Sequence, residues 1–419
     1  MRLVIDKFGI INKASIDING LTVICGENDT GKSTIGKLIF SLIKSSQKYE
    51  DDLEVGAISE IRSSLFKISS LLLLTNDNKE TNRLISHNIR RLDPEYLILI
   101  KDISILYDNL ERAKIDESIR EIIEQNIKNI KFLLDNKPDE NKIKRDALRK
   151  AMFSEFGKLK GFSSYICLSD LNKNNIVSFN INDSNISNVD FGKRMDIDDV
   201  TYIENPFILQ FRKMFYNAIT SLDENLSKRS WMREAVSLHL KDLAKKLINH
   251  QPDLIDLIND QELKSLSREI NQMIDGNFSY DEEFDDFILN RNGKKISSMN
   301  IASGIKSIGL IDTLIRGNVI NKNTLLILDE PETNLHPKWQ NEYARLLCKF
   351  VKNNIRVIAV THSPYMISAL YHYSKDIGEN MKSFYWANKE NGHTTFEDST
   401  SNVMEGIMSK FADDLDGMY

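Results

Sequence analysis

The sequence has few cysteines and no long apolar run, and each shortage excludes a class of protein. Its three cysteines, Cys25, Cys167 and Cys348, are odd in number and far apart, which argues against a disulfide framework or a zinc site. The apolar runs are short, as in Leu71 to Leu74, whereas a membrane-spanning helix needs about 20 residues. The first residues predict a strand rather than a signal peptide. We therefore expect a cytoplasmic protein that does not contact a membrane.

A basic charge balance is also missing. The formal net charge of the 419 residues is -6, which argues against nucleic-acid binding over the whole surface but leaves a local basic groove open. DNA or RNA therefore remains a possible partner. Hydrophobic residues make up 41% of the chain and charged residues 28%, so the chain can bury a core and is not disordered. Its length suits two or three compact units.

A glycine-rich loop near the N-terminus matches the pattern G-x-x-x-x-G-K-[ST] at every fixed position. An apolar run precedes it, and apolar residues at helical spacing follow it. Glycines allow backbone N–H groups to surround phosphates, and the N-terminus of a helix adds positive potential. We predict that Lys32 reaches the β- and γ-phosphates and that Ser33 binds Mg2+. The predicted ATP-binding residues here are Gly26, Glu27, Asn28, Asp29, Thr30, Gly31, Lys32, Ser33 and Thr34.

A second motif follows a short apolar run at Leu325 to Leu328, which is typical of a strand buried on both faces. Asp329 and Glu330 come directly after it, and Pro331 ends the strand. Carboxylates at this end of a parallel strand lie where such sheets bind ligands. Asp329 is therefore a candidate magnesium ligand, and Glu330 is a candidate base acting on water.

Two weaker signals fall in the same half of the chain. A buried-strand run ends in Thr361 and His362, and it follows the strand of Asp329 after a single predicted helix. Such strands usually lie close together, so we predict that His362 faces the phosphates. Ser303 and Gly304 open an apolar helix and predict a second anion-binding helix N-terminus. Both residues also have an alternative role without function. His362 could be a packing residue, and Ser303 could be an ordinary N-cap serine.

The remaining segments alternate between strand and helix patterns. Residues 2–24 predict strands with a tight turn at Asn19 and Gly20, and residues 384–387 with 394–396 predict a hairpin that closes the sheet. Residues 51–158 are poor in glycine and helical in pattern. Glu204 and Asn205 follow a strand, where either residue could sense Mg2+ or water, or where both could simply form a turn.

One motif suggests a different nucleotide. Residues 136–139 match the guanine-reading pattern N-K-x-D, but that pattern should follow a buried strand. Here it follows a helical pattern, and no D-x-x-G lies at a suitable place. We therefore interpret residues 136–139 as the end of a helix that is terminated by Pro138.

The four elements, in the order of Lys32, Ser303-Gly304, Asp329-Glu330 and His362, resemble the ABC-type ATPases, in particular their RecF, SMC and OLD-like branch, often labelled AAA family. Residues 302–304 resemble a shortened signature motif of the form L-S-G-G-Q. Residues 329–337 are similar to the D-E-P-E-x-H-L-H-P tract of the OLD-like branch, with Asn334 in place of the usual His. No clear Q-loop glutamine is present.

This resemblance implies an α/β fold, namely an ABC-type P-loop ATPase head with a β-rich lobe, a mostly parallel sheet and a helical insertion. Residues 1–50 would form the N-terminal part of the head, 51–160 the helical insertion, 161–205 a β hairpin of the head, 206–276 a second helical segment and 277–419 the C-terminal part of the head.

The resemblance also implies a mechanism. Two subunits of a homodimer or higher oligomer would trap ATP between the phosphate loop of one and Ser303-Gly304 of the other. Lys32 and Mg2+ on Ser33 and Asp329 would neutralise the phosphates, Glu330 would activate water, and His362 would contact the γ-phosphate. Only 57 residues follow His362 (419 − 362), too few for the TOPRIM nuclease that OLD proteins carry at this point.

Three functions follow as hypotheses. The first is an ATPase switch that senses a trigger and controls a separately encoded effector, such as an HNH or TOPRIM nuclease, by analogy with the stand-alone ATPases of Septu, PARIS and retron anti-phage systems. The second is a DNA-repair ATPase of RecF or SMC-like type that binds DNA directly. The third is a scaffold that binds ATP with little hydrolysis.

Overall fold

The computed structural model of the protein describes residues 1–48, 57–74, 79–90, 92, 97, 102–113, 115–136, 139–211, 236–248 and 260–411. The chain forms two compact units. The first comprises Met1–Gln47, Ala151–Ser221 and Ser227–Tyr419, and the second comprises Lys48–Lys150 and Leu222–Leu226. Residues 212–235 and 249–259 of the expected second helical segment lie outside the described residues, as do Lys137 and Pro138 of the N-K-x-D match.

The strands and helices are numbered in chain order. The strands are β1 (Arg2–Phe8), β2 (Ile11–Asp17), β3 (Leu21–Gly26), β4 (Ser163–Ser169), β5 (Asn175–Asn182), β6 (Asn185–Phe191), β7 (Asp199–Ile203), β8 (Asn277–Asp281), β9 (Asp286–Arg291), β10 (Lys294–Ser297), β11 (Thr324–Asp329), β12 (Arg356–Thr361), β13 (Lys382–Glu390) and β14 (His393–Asp398). The helices are α1 (Lys32–Gln47), α2 (Ala57–Leu74), α3 (Lys79–Arg90), α4 (Ser104–Arg112), α5 (Glu117–Asp135), α6 (Glu140–Phe156), α7 (Leu238–Ile248), α8 (Gln261–Met273), α9 (Ser303–Arg316), α10 (Pro337–Lys352) and α11 (Pro364–Tyr373).

One large sheet organises the first unit. Its eleven strands run in the order β6-β5-β4-β1-β2-β14-β13-β3-β12-β11-β7. The strands β3, β12, β11 and β7 are parallel to one another, whereas β6, β5, β4, β1 and β2 pair antiparallel. The expected α/β fold is confirmed, with a parallel half and a β-rich antiparallel half. A separate three-stranded sheet contains β8, β9 and β10.

The parallel half is buried on both faces. Every residue of β3 and β11 is buried, as is all of β12 except Arg356, because helices cover both sides of such a sheet. Helix α1 packs against β3, β7, β11 and β12. Apolar residues of α8, α9, α10 and α11 share one core cluster with Val23, Leu326 and Val357 from the strands. The carboxyl ends of β3, β11 and β12 therefore emerge from a rigid layer.

The strand order differs from the sequence-based expectation at two places, the turn at residues 19–20 and the C-terminal hairpin. The chain does turn at residues 19–20, but β14 and β13 lie between β2 and β3, so these two strands are not neighbours. The C-terminal hairpin of β13 and β14 was expected to close the sheet. It lies inside the sheet, with β13 parallel to β3 and β14 parallel to β2, and it joins the antiparallel half to the parallel half. Local turn chemistry could not reveal this insertion, because it depends on pairing between strands near opposite ends of the chain.

The segment expected as a hairpin at residues 161–205 contains more strands than two. The strands β4, β5 and β6 form an antiparallel meander beside β1, whereas β7 lies at the opposite edge of the sheet, beside β11. The tight turn at Asp183 and Ser184, whose φ angles are 45° and 70°, reverses the chain after β5 and so produces the additional strand β6. The segment therefore contributes to both edges of the sheet.

The second unit has a core of its own. Helices α2 to α5 bury leucine and isoleucine side chains at helical spacing, among them Ile61, Leu65, Ile68, Ile123, Ile127 and Ile130. In the described part of the chain, no helix combines the length and apolar character that a membrane span needs.

Helix α7 is attached to the sheet by buried apolar side chains, among them Leu243 and Leu247, and by a network of charged groups. The Lys44 ammonium on α1 is completely buried and lies 2.6 Å from both Asp199 and Asp242. Lys246 lies 3.0 Å from Asp199 and 2.9 Å from Asp242. Burial raises the pKa of Asp199, but Lys246 and Lys44 outweigh it, so the pKa of Asp199 lies well below its usual value. The network fixes α7 against α1 and the start of β7.

Replacing Lys44 by Met should destabilise the protein strongly, because the buried Asp242 and the half-buried Asp199 each lose a partner. We expect the free energy of unfolding, measured by urea denaturation, to fall by about 3 kcal/mol or more. Lys352→Ala is the matched control, since Lys352 pairs with Asp376 on the surface, and it should cost less than about 1 kcal/mol. Equal effects of the two substitutions would contradict the stabilising role of the network.

Candidate nucleotide site

The phosphate loop follows β3 and leads directly into α1. Gly26 has a φ of 147°, and a Cβ there would lie 2.8 Å from the carbonyl oxygen of Ala387, so only glycine fits. Asp29 and Gly31 also have positive φ angles, 59° and 80°. These left-handed residues curl the chain tightly before the first turn of α1. The surface ion pair of Asp29 with Lys389, at 2.5 Å, holds the outer part of the loop.

The loop presents unpaired donors and one buried cation. Among the described residues, the backbone N–H groups from residue 27 to 34 have no hydrogen-bond acceptor. Lys32 is 5% exposed, and its ammonium folds back onto the Glu27 carbonyl oxygen and, at 3.3 Å, onto Thr30 Oγ1. Burial lowers the pKa of Lys32, and the Glu330 carboxylate opposes that shift. Such a ring of donors has the chemistry to bind a polyphosphate anion.

Asp329 ends β11 and meets residues from two other elements. Ser33 Oγ donates to Asp329 Oδ1 at 3.0 Å, and the Tyr202 hydroxyl donates to Asp329 Oδ2 at 2.6 Å. The carboxylate is almost completely buried, at 4% exposure. Burial raises its pKa, and the two hydrogen bonds act in the opposite direction. The structure therefore brings together the Asp and Ser that the sequence predicts as magnesium ligands.

The donor set fits Mg2+ bound together with a nucleotide. The described residues contain no cluster of three or more His, Cys, Asp or Glu side chains placed to hold a metal. A cage made only of protein is not what this ion requires, since Mg2+ is usually held by one or two carboxylates together with phosphate oxygens and water. Asp329 Oδ1 and Ser33 Oγ, both hard oxygen ligands, match that pattern.

Glu330 occupies a strained position beside Asp329. Its φ is 51°, a region that non-glycine residues adopt at a cost of about 1–3 kcal/mol. Its backbone N–H donates to the Val360 carbonyl oxygen at 2.8 Å, which fixes this turn to β12. The side chain remains 41% exposed, and Oε1 lies 3.2 Å from His362 Nδ1. The sharp turn thus directs Glu330 away from the buried strand toward His362.

A second carboxylate, Glu332, supports this turn. The Thr361 hydroxyl donates to Glu332 Oε1 at 2.5 Å, and the His362 N–H donates to the same oxygen at 3.1 Å. Glu332 is 5% exposed, and its Oε2 has no hydrogen-bond partner among the described residues. Burial raises the pKa of Glu332. The residue therefore connects the turn after β11 to the end of β12 and places His362 beside Glu330.

Ser303 and Gly304 open α9, as predicted, but Ser303 is not the N-cap. Ala302 is the N-cap and has no side-chain cap, and Ser303 is the first helical residue. A Cβ at Gly304 would lie 2.2 Å from Leu335 Cδ2, so the helix start packs closely on residue 335. Among the described residues, no hydrogen bond or ion pair joins Ser303 or Gly304 to the phosphate loop or to Asp329.

Tyr202 and Glu332 were not among the functional candidates found from the sequence. Tyr202 is the one aromatic residue of β7, and its hydroxyl group lies within a largely buried strand. A hydroxyl group at such a position was a signal in the sequence that it has a polar partner. Glu332 follows Glu330 by two residues, so its acidic character was visible, but its burial was not. Glu204, left open between a sensor and a turn, bonds His239 Nε2 at 3.0 Å. The donor and acceptor there depend on the imidazole tautomer.

A known protein family matches most of the chain. The model of the AAA ATPase domain family matches residues 1–367. The chain belongs to the AAA ATPase domain family. This membership confirms the expected ATPase family, and the match runs from β1 into α11, so it includes the phosphate loop, α9, β11 and β12. A comparison with curated proteins found no match.

Solved structures show a distant similarity. The SMC head domain from Thermotoga maritima has 11% identity and a TM-score of 0.39, with 95% of this chain and 97% of that one covered. The Smc head domain with an extended coiled coil, bound to the C-terminal domain of ScpA from Pyrococcus furiosus, has 13% identity, a TM-score of 0.41 and 98% of both chains covered. The ADP conformation of an ATP-binding cassette of an ABC transporter has 9% identity and a TM-score of 0.33, with 97% and 95% covered. The family assignment depends on none of them.

Glu332→Gln should change the pH dependence of stability in a defined direction. A glutamate with a raised folded-state pKa binds its proton more tightly in the native state, so it lowers stability as pH rises above its unfolded value of about 4.3. The free energy of unfolding of the variant, relative to wild type, should therefore increase as the pH rises from about 4 toward neutral. Urea denaturation across this range provides the measurement, and a constant difference would contradict the shift.

Proposed function

We propose that the protein is an ATP-binding and ATP-hydrolysing switch subunit. The observation that carries the proposal is the 3.0 Å contact between Ser33 on α1 and Asp329 at the end of β11. It joins a loop with unpaired amides and a buried lysine to a buried carboxylate, which is the arrangement that a magnesium-bound triphosphate requires. Membership in the AAA ATPase domain family supports the same function.

Each residue has a distinct role in this proposal. Lys32 and the loop amides bind the phosphates and compensate their charge. Ser33 and Asp329 would hold Mg2+, which supplies further charge neutralisation when bound. Glu330 orients or deprotonates the attacking water, because its carboxylate is exposed beside the turn. His362, 3.2 Å from Glu330 Oε1, contacts the terminal phosphate and keeps the base in place.

The proposal includes a twofold dimer. Ser303 and Gly304 start a helix whose N-terminus has no side-chain cap, and no polar contact within the described residues ties them to the phosphate loop. A second copy can therefore present this helix start to the nucleotide, with its partial positive charge. ATP would then act as part of the interface, and hydrolysis would release it.

The dimer state would control a separately encoded effector, such as an HNH or TOPRIM nuclease, in bacterial anti-phage defence. The support is the similarity of residues 329–337 to the tract of the OLD-like ATPases. The structure explains why two residues of this tract are of their types. Glu332 binds the end of β12, and Asn334 has a φ of 61°, which asparagine tolerates. Co-purification tests this role. We expect a nuclease encoded beside this chain to co-purify with it, and we expect the complex to be lost when ATP or ADP is added.

Glu330→Gln should separate ATP binding from hydrolysis. The amide keeps the size of the side chain but cannot accept a proton, so turnover should fall by about 100-fold or more, with ATP affinity retained. Phosphate release and calorimetric titration are the measurements. Glu342→Gln on α10, a surface residue paired with Arg345, is the control and should leave turnover unchanged. Equal turnover of Glu330→Gln and wild type would remove the hydrolytic function and favour an ATP-binding scaffold.

Complementation between two inactive variants tests the shared site. Lys32→Ala removes the phosphate-loop cation, and Ser303→Arg blocks the opposing helix start. Each variant alone should be inactive. An equal mixture should recover about a quarter of wild-type turnover, because half of the dimers are mixed and each has one intact composite site. No recovery in a mixture that forms mixed dimers, measured by tagged co-purification, would argue against a site shared between copies.

A further inference from the structure

The two oxygens of the Asp329 carboxylate are held by different hydroxyl groups. Ser33 occupies Oδ1 at 3.0 Å, whereas Tyr202 on the edge strand β7 donates to Oδ2 at 2.6 Å. The tyrosine is completely buried. Burial raises the pKa of Tyr202, and so does the nearby Asp329 carboxylate, so the phenol stays protonated and acts as a donor.

The Tyr202 ring is held on three sides, so its hydroxyl has little freedom. Gly36 on α1 makes room for it, since a Cβ there would lie 3.0 Å from Tyr202 Cε2 and 3.6 Å from its hydroxyl oxygen. The Phe40 ring meets it edge-on at a centroid distance of 6.1 Å. The His239 ring also packs on it, at a centroid distance of 4.8 Å. A side chain fixed in this way positions its partner as well.

His239 is itself clamped between two carboxylates. Its Nδ1 lies 2.8 Å from Glu155 Oε2, its backbone N–H donates to Glu155 Oε1 at 2.7 Å, and its Nε2 lies 3.0 Å from Glu204 Oε2. Burial lowers the pKa of His239, but the bonds to Glu155 and Glu204 outweigh this and raise it, while Lys37 opposes them. The imidazole is 1% exposed. A doubly bonded, buried ring makes a firm support for the tyrosine.

We propose that Tyr202 is a positioning residue for the nucleotide-bound metal, and that His239 fixes it in place. The inference rests on the proposed function, because it concerns the same carboxylate. With Oδ2 engaged by the phenol, only Oδ1 is directed toward Ser33 and the phosphate loop. Without the phenol, the buried carboxylate loses one of its two hydrogen-bond donors and rotates more freely. Both changes weaken its interaction with a cation.

Tyr202→Phe tests the proposal with a readout that does not depend on turnover. Calorimetric titration with ATP is done once with excess Mg2+ and once with EDTA, and the ratio of the two affinities measures the contribution of the metal. We expect this ratio to fall about tenfold in the variant, which corresponds to about 1.4 kcal/mol, because the metal-binding carboxylate loses a hydrogen bond made to its charged form. Affinity in EDTA should be unchanged.

Tyr385→Phe is the matched control. Tyr385 is also buried, at 2% exposure, and its hydroxyl accepts a 2.8 Å hydrogen bond from the backbone N–H of Asp17 rather than contacting Asp329. This variant should lose comparable stability and keep the wild-type affinity ratio. In turnover assays, Tyr202→Phe should need about tenfold more Mg2+ for half-maximal rate, with the maximal rate recovered at saturating Mg2+.

Gly36→Ala provides a second route if Tyr202→Phe does not fold. Alanine favours the helix, but its Cβ displaces the tyrosine ring and should lower the same ratio. A wild-type ratio in both variants, in a protein whose wild type shows metal-dependent ATP binding, would overturn the inference alone. Absence of ATP binding in the folded wild type would instead overturn the proposed function, and with it this inference.

Discussion

The buried carboxylate of Asp329 is the constraint on which the site depends. It lies at the carboxyl end of β11 and is reached by Ser33 from α1 and by Tyr202 from β7. These residues come from three distant parts of the sequence. A carboxylate of this kind is expensive to bury unless its oxygens are satisfied. Its two hydrogen bonds therefore fix the relative positions of the phosphate loop, the edge strand and the strand between them.

The register of the parallel strands makes this convergence possible. The strand β12 lies between β11 and β3, with Asp329 opposite Val360 and Cys25 opposite Thr361. The ends of all three strands consequently meet at one edge, where the phosphate loop, Glu330 and His362 follow them. Glu332 adds a cross-link from the turn after β11 to the end of β12. The strained backbone of Glu330 and the burial of the Glu332 carboxylate, which raises its pKa, both lower the stability of the fold. Selection for stability alone would not retain them.

Charge, rather than apolar area alone, holds the surroundings of the site. His239, Asp242 and Lys246 lie on α7, and they bond Glu155, Lys44 and the start of β7. Buried charge networks of this type demand one geometry, because any other leaves a charge unpaired. Tyr202 is thereby held by a helix that lies far from the phosphate loop in the sequence.

The sequence alone determined the elements whose signals are local. The phosphate loop, the strand ending in Asp329 and Glu330, the strand ending in His362, and the helix start at Ser303 were all readable, because each is set by neighbouring residues and by apolar periodicity. Only the tertiary structure decided which strands are neighbours, that the hairpin of β13 and β14 lies inside the sheet, and that Tyr202 and Glu332 belong to the site. Those facts depend on pairing between residues far apart in the sequence and on the burial of individual polar atoms, and no local pattern in the chain specifies either.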